Sequence, residues 1–185
     1  LWLASESPES PELELDLPIS AVHLSPAGPI VMAGDDHVVI EVLGRPFKVS
    51  AGSFFQVNTA MAGDLVNHIL ENLPLTPETT LLDVYCGVGL FSAFLAPKVK
   101  TLIGIEVSES AVDDFAENLD DFDNVSVYLS AAEEVLPNLG VAADVLLVDP
   151  PGEGLDRKVM DAIVAIAPPV IAYVSSDLAT LARDL

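Results

Sequence analysis

From Thr80 onward, short apolar segments alternate with stretches of helical spacing, and this rhythm constrains the fold more than any other feature of the chain. The strand candidates are "LLDVY", "TLIGIE", "VSVYL", "DVLLVD" and "VIAYVS", and between them lie stretches such as "SESAVDDFAENL" and "LDRKVMDAIVAI". In the latter, Leu155, Val159, Ile163 and Ile166 recur at helical spacing, enough to coat one face of a sheet. Strands buried on both faces and alternating with helices predict an α/β fold with a doubly wound, mainly parallel, Rossmann-like sheet. With 185 residues, 51% of them apolar, the chain can bury one substantial core.

The first 79 residues read differently. Residues 1–29 are rich in Pro, Ser and Glu ("SESPESPELELDLP") and carry no basic residue, which predicts an extended or loosely held segment with an edge strand at "AVHLS". "HVVIEVLGRPFKVS" alternates around Leu43-Gly44-Arg45 and reads as a hairpin. After "GSFFQVN", Asn58 is placed to cap a helix through "TAMAGDLVNHILENL". Two regions are expected, an acidic segment with a β-hairpin over 1–57 and a cofactor-binding domain over 58–185. The chain starts at Leu1 and stops inside an apparent helix, so a piece of a longer, C-terminally incomplete domain is expected.

Composition narrows the classes of function. No apolar run reaches the roughly 18 residues of a membrane span, and no basic start with an apolar stretch marks a secretory signal, so a soluble cytoplasmic protein is expected. The single cysteine, Cys86, excludes an internal disulfide and any cysteine-built zinc or iron–sulfur site, and His23, His37 and His68 lack ligand spacing, so no metal is expected. Against 29 acidic residues stand 7 basic ones, a formal net charge of -22. Nucleic-acid affinity draws on Lys and Arg, so this surface disfavours phosphate, and its acidity reads as a solubility or salt-adaptation feature.

The first constellation with chemistry is "LLDVYCGVGLFS", a strand ending at Asp83-Val84-Tyr85, two glycines at Gly87 and Gly89, and an apolar helix. Such a turn brings backbone close to a ligand and offers it unpaired N–H groups. The second strand ends in Glu106, placed to bind a ribose diol by two charge-assisted hydrogen bonds. Ser92 stands where a dinucleotide fold wants a third glycine, and Asp83 suits an ammonium better than a pyrophosphate, which points to S-adenosylmethionine. In "VLLVDPPGEGLD", Asp149 ends a strand on the carboxyl edge of the sheet and faces the reactive end of that cofactor. The bland alternatives are a tight turn, a solvated strand end and a capping acid.

In this order and spacing, "GSFFQVN", "DVYCGVGLFS", "GIEVSESAV", "VDPPGEGL" and "YVSSDLATLARDL" resemble the RNA uracil-C5 methyltransferases that modify tRNA and 23S rRNA, over residues 34–185. The resemblance implies a class I methyltransferase fold, S-adenosylmethionine as donor and a uridine in tRNA or rRNA as acceptor. By position it makes Gln56 a contact to cofactor or target base, Tyr85 and Gly87 part of the cofactor loop, Glu106 the ribose acid and Asp149 the polar group beside the pyrimidine. One of Phe54 and Phe55 is expected to be plain core.

Uracil C5 is a poor nucleophile, and the family's answer is covalent: a cysteine thiolate adds to C6, C5 takes the methyl, and a base removes the C5 proton. Here Ser176 stands in the cysteine's place, within Ser175-Ser176-Asp177-Leu178. A serine needs a positioned base, and no histidine is near in sequence, so the stretch reads either as the heir of a catalytic turn or as a strand-to-helix cap. Further departures are Gly152 for the usual arginine and Ala131 for an acid after the third strand, and the family's catalytic glutamate falls beyond Leu185. Three readings stay open: a uracil-C5 methyltransferase, a catalytically silent donor-binding or RNA-associated module, and an amino-group methyltransferase, which Gly152 disfavours.

Overall fold

The computed structural model describes residues 1–185 apart from Leu13, Leu15, Leu17 and Pro18. Strands β1 (Trp2–Ala4), β2 (Ala21–Ser25) and β3 (Gly28–Ala33) form one sheet, and β4 (His37–Val42) with β5 (Arg45–Ser50) a hairpin. Helix α1 (Thr59–Asn72) leads into β6 (Thr80–Val84), α2 (Leu90–Leu95), β7 (Thr101–Glu106), α3 (Glu109–Asn118) and β8 (Val125–Leu129). Then come α4 (Ala132–Val135), β9 (Val145–Val148), α5 (Arg157–Ile166), β10 (Val170–Tyr173) and α6 (Leu178–Asp184). Among the described residues no helix is long and apolar enough to cross a membrane.

Strands β6 to β10 form a five-stranded sheet in the order β10-β9-β6-β7-β8, with every pair parallel. The chain runs from β6 outward through β7 to β8, then returns to the other side of β6 for β9 and β10, and the reversal leaves a crevice at the carboxyl ends of β6 and β9. Successive strand residues point to opposite faces. Leu81, Leu102 and Leu147 therefore join α1, α2 and α3 in one apolar cluster, while Leu82, Ile103 and Leu146 join α4 and α5 in another. This is the doubly wound α/β fold that the sequence rhythm predicts. The expectation of burial on both faces holds for β6, β7 and β9; β8 and β10 lie at the sheet edges and expose residues such as Tyr128 and Ile171.

The hairpin turns on Leu43 (φ 52) and Gly44 (φ 79), both left-handed, and Arg45 already pairs with Val42 across the strands. That geometry matches the right-handed strand twist. Val42, Phe47 and Val49 are buried in the same cluster as the sheet residues Leu81 and Leu102, so hairpin and sheet share a core. A polar seam completes the joint. The Asp114 carboxylate on α3, fully buried, accepts from Ser50 N (2.8 Å), Ser50 Oγ (2.6 Å) and Ser53 Oγ (2.7 Å). Asn118 pairs with the Lys48 backbone as a strand would, accepting from its N–H (2.8 Å) and donating to its carbonyl (3.0 Å). Its amide donates as well to the Val88 carbonyl (3.0 Å).

Two expectations for the N-terminal segment are corrected. "AVHLS" is the middle strand of its sheet, parallel to β1 and antiparallel to β3, because Ala21, Val22 and His23 are buried and need cover on both sides. The serine-rich stretch is not wholly loose either. Ser5 Oγ (2.7 Å) and Ser10 Oγ (3.3 Å) hydrogen-bond with the two ring nitrogens of His23, satisfying a buried imidazole. At Leu13, Leu15, Leu17 and Pro18 the expectation of an extended chain lies outside the described residues.

Candidate functional site

At the carboxyl end of β6 the chain leaves the sheet through Tyr85, whose φ of 64 is left-handed and uncommon for a side-chain-bearing residue. Such strain persists only where its surroundings enforce it. Here Tyr85 N (2.9 Å) and Cys86 N (3.2 Å) both donate to the Ile105 carbonyl on β7. The two glycines that follow do different work. Gly87 (φ 53) faces open space, for a Cβ there would meet nothing within 4 Å. Gly89 (φ 91) faces protein, and a Cβ would run into Leu119 and Phe115. Gly87 thus leaves its main chain open on that side, and Gly89 lets α3 pack close to the start of α2.

Glu106, at the end of β7, closes over this loop. Its Oε2 accepts from Gly87 N (3.0 Å), and its Oε1 from Val107 N and Ser108 N (both 2.8 Å). Asp83 lies beneath, fully buried, with Oδ2 accepting from Ser92 Oγ (2.6 Å) and Oδ1 without a partner among the described residues. Burial pushes the Asp83 carboxyl up to about 7; the Ser92 hydrogen bond opposes the rise, and the Asp149 and Glu106 carboxylates add to it. A buried acceptor left unpaired costs about 1–3 kcal/mol. Asp149 follows β9 and donates its N–H to the Val84 carbonyl (3.3 Å), and burial raises its carboxyl to about 6. Tyr85 is raised to about 12 by burial, with Glu133, Asp156 and Glu106 contributing.

The structure therefore brings Asp83, Tyr85, Gly87, Glu106 and Asp149 together at the crevice, with Gly89 behind them. Three carboxylates, Asp83, Glu106 and Asp149, gather at this edge, and among the described residues they form no group able to hold a metal ion. An acid-lined set of this kind suits an organic cation bearing hydroxyl groups. A hollow of ≈ 480 Å³ lies away from these residues, beside the hairpin, lined by residues including Leu43, Arg45, Phe94 and Phe122.

Gln56 lies between β5 and α1, half-buried, with no side-chain hydrogen bond among the described residues. Its neighbours settle the question of the paired phenylalanines. Phe55 is buried with its ring 5.8 Å from that of Phe47, whereas Phe54 is 75% exposed. Ser176 is exposed in the turn between β10 and α6. Asp177 caps α6 through Ala179 N (2.7 Å) and Thr180 N (2.9 Å), and Ser175 Oγ accepts from Asp177 N (3.1 Å). Among the described residues no side chain hydrogen-bonds to Ser176. Cys86 is buried beside Gly104, its thiol pushed well up by burial and by Asp83 and Glu106, which keeps it protonated and inert.

Sequence reasoning missed two residues. Gly104 lies mid-strand in β7, where a Cβ would come within 2.8 Å of Cys86 Sγ; a glycine inside an apolar run was the available signal. Asp184 looks like one more surface acid, yet its side chain is 1% exposed.

An open parallel sheet with a glycine loop, a buried acid before it and a second acid at the next strand end is the arrangement of a class I methyltransferase. The fold agrees: the tRNA (uracil-54, C5)-methyltransferase of Pyrococcus abyssi, solved with S-adenosyl-L-homocysteine, superposes with a TM-score of 0.75 at 24% identity, over 99% of this chain and 48% of that one. The sequence profile of the tRNA (uracil-5-)-methyltransferase family matches residues 30–185, and the chain belongs to that family. An uncharacterised RNA methyltransferase of Thermosynechococcus vestitus is 42% identical over 157 residues, covering 84% of this chain and 35% of the relative. One from Listeria monocytogenes is 39% identical over 157 residues, with 82% and 35% covered. The chain thus spans about a third of the length of the curated relatives it matches.

Proposed function

We propose that this chain is the donor-binding part of an RNA methyltransferase acting at C5 of a uridine, with S-adenosylmethionine in the crevice at the ends of β6, β7 and β9. The observation that carries the proposal is the buried Asp83 Oδ1, without a partner among the described residues and lying among like charges at the strand ends. An ammonium answers that oxygen, and the sulfonium suits an acid-lined site. Glu106 holds the ribose diol, Gly87 and Tyr85 bring the main chain against the cofactor, and Gln56 reaches cofactor or base from the link after the hairpin. When bound, the cofactor supplies an electrophilic methyl group. Asp149 stands at the reactive end, where a carboxyl raised to about 6 can accept or donate a hydrogen bond to a pyrimidine edge near neutral pH.

Ser176 favours a second reading. It occupies the nucleophile's position without a base beside it, so methyl transfer is weak in this form and the chain serves as a donor-binding module. Charge argues in the same direction. Among the described residues Arg45, Lys48, Lys100, Arg157 and Arg183 each pair with a carboxylate, and of the 7 basic side chains only Lys98 and Lys158 stand without an ion pair, a sparse basic surface for RNA.

Titrating S-adenosyl-L-homocysteine by calorimetry tests the donor site, and absence of heat at millimolar ligand rejects it. Ser176→Cys in the full-length protein separates the two readings. Recovered uridine methylation identifies a disabled enzyme, and continued silence a diverged binding module.

A further inference from the structure

The motif "ATLARDL" is left unexplained by donor binding, yet its side chains make a compact set of contacts. Asp184 Oδ2 accepts from Leu155 N (2.9 Å) and Tyr173 OH (2.7 Å), and its Oδ1 accepts from Arg183 Nε (2.8 Å). Arg183 donates to the Glu153 carbonyl (2.8 Å), and Thr180 Oγ1 to the Gly152 carbonyl (3.2 Å). Gly154 (φ 83) is pressed against the same helix, where a Cβ would collide with Asp184, Thr180 and Arg183. One face of α6 thus grips the main chain of residues 152–155, the loop that begins at Asp149. Tyr173 ends β10, just before the Ser176 turn, and α6 begins just after it.

We infer that Asp184, with Arg183, is a positioning residue for methyl transfer, holding the Asp149 loop at a fixed distance from the Ser176 turn. The inference rests on the uridine-methylating reading above. It explains why the loop keeps its path with Gly152 in place of arginine, since the grip on 152–155 involves main-chain atoms alone. It also gives a carboxylate buried far from the glycine loop a task that helix stability does not require, for α6 has its cap in Asp177 at the other end.

The test uses the full-length protein carrying Ser176→Cys, with Asp184→Asn added. The asparagine keeps the shape but places an N–H₂ where Leu155 or Tyr173 needs an acceptor. Affinity for S-adenosyl-L-homocysteine is expected to stay within about twofold, while turnover at saturating RNA falls roughly 10²-fold, the scale of a misplaced reacting group. Asn124→Ala, which loses bonds to the Ala96 and Val99 carbonyls at the amino edge of the sheet, is the stability control and keeps its turnover. Donor affinity falling in parallel with turnover, or turnover within about threefold of the parent, overturns the inference. If the parent binds donor but transfers no methyl to uridine, it is the functional reading that has failed. The grip is then judged by amide exchange. Leu155 exchanging at least about tenfold faster in the variant, with Gly87 unchanged, sustains it; equal rates at Leu155 overturn it.

Discussion

The two sides of the crevice are held by different forces. On the β6–β7 side the functional groups are continuous with the core: Asp83 is buried and Glu106 is fixed by the amides of Gly87, Val107 and Ser108. On the β9–β10 side they stand on turns, with Ser176 exposed and the loop after Asp149 held by side chains of a seven-residue helix. A change on the first side is expected to disturb folding along with any bound ligand, whereas the second can change a side chain at little cost to the fold. Ser176 stands on the side where packing resists exchange least.

The largest expected effect is on donor binding. If Glu106 holds the ribose diol as proposed, Glu106→Ala should weaken S-adenosyl-L-homocysteine roughly 10²- to 10⁴-fold by calorimetry, from two charge-assisted bonds of about 1.5–3 kcal/mol each. A loss under about tenfold breaks the contrast between the two sides.

The two glycines sharpen it. Gly89→Ala forces a methyl into Leu119 and Phe115 at a left-handed position, and should destabilise by about 2–4 kcal/mol in denaturant titrations. Gly87→Ala meets open space, so about 1 kcal/mol is expected from the backbone alone, with the larger loss in donor affinity.

Acidity separates the sides by sign. Asp83, near 7, and Asp149, near 6, hold their protons longer folded than unfolded, so their contribution to stability falls as pH rises from about 4 to 7 and is level above that. Asp177, lowered by the Thr180 and Ala179 amides, and Asp184, lowered by the Leu155 amide and the Tyr173 hydroxyl, behave oppositely. Their stabilisation is full above about pH 4 and is lost as pH falls through their folded values. Thermal melts of Asp83→Asn should keep only the Asp149 part of the decline, ending near pH 6, and donor binding by the parent near pH 6.5 should release up to about one proton, read by calorimetry in buffers of different ionisation enthalpy. The smallest effect belongs to Asp177→Ala, a slight fall in melting temperature from a lost cap, with donor affinity unchanged.

What could be read from sequence was local. The β6–β10 rhythm, the Leu43-Gly44 turn and the Asn58 cap each lie within a few residues of their own signal, and Asn58 Oδ1 does accept from Met61 N (3.1 Å). The convergence of Gly87, Glu106 and Asp149 was legible because strand ends of a parallel sheet meet at one edge. Partners distant in sequence were not. The place of β2 depends on a three-residue strand at the chain start, and the difference between Gly87 and Gly89 on side chains of α3. Asp114 sits among acids that read as a solvated helix face, but it is buried because Ser50 and Ser53 meet it from the hairpin.

That seam bears on more than folding. Asn118 joins the Lys48 backbone to the Val88 carbonyl, so one carboxamide spans the hairpin and the donor loop. Hairpin and glycine loop are thereby tied through a single side chain, so that a displacement of either backbone is felt by the other within one residue's reach.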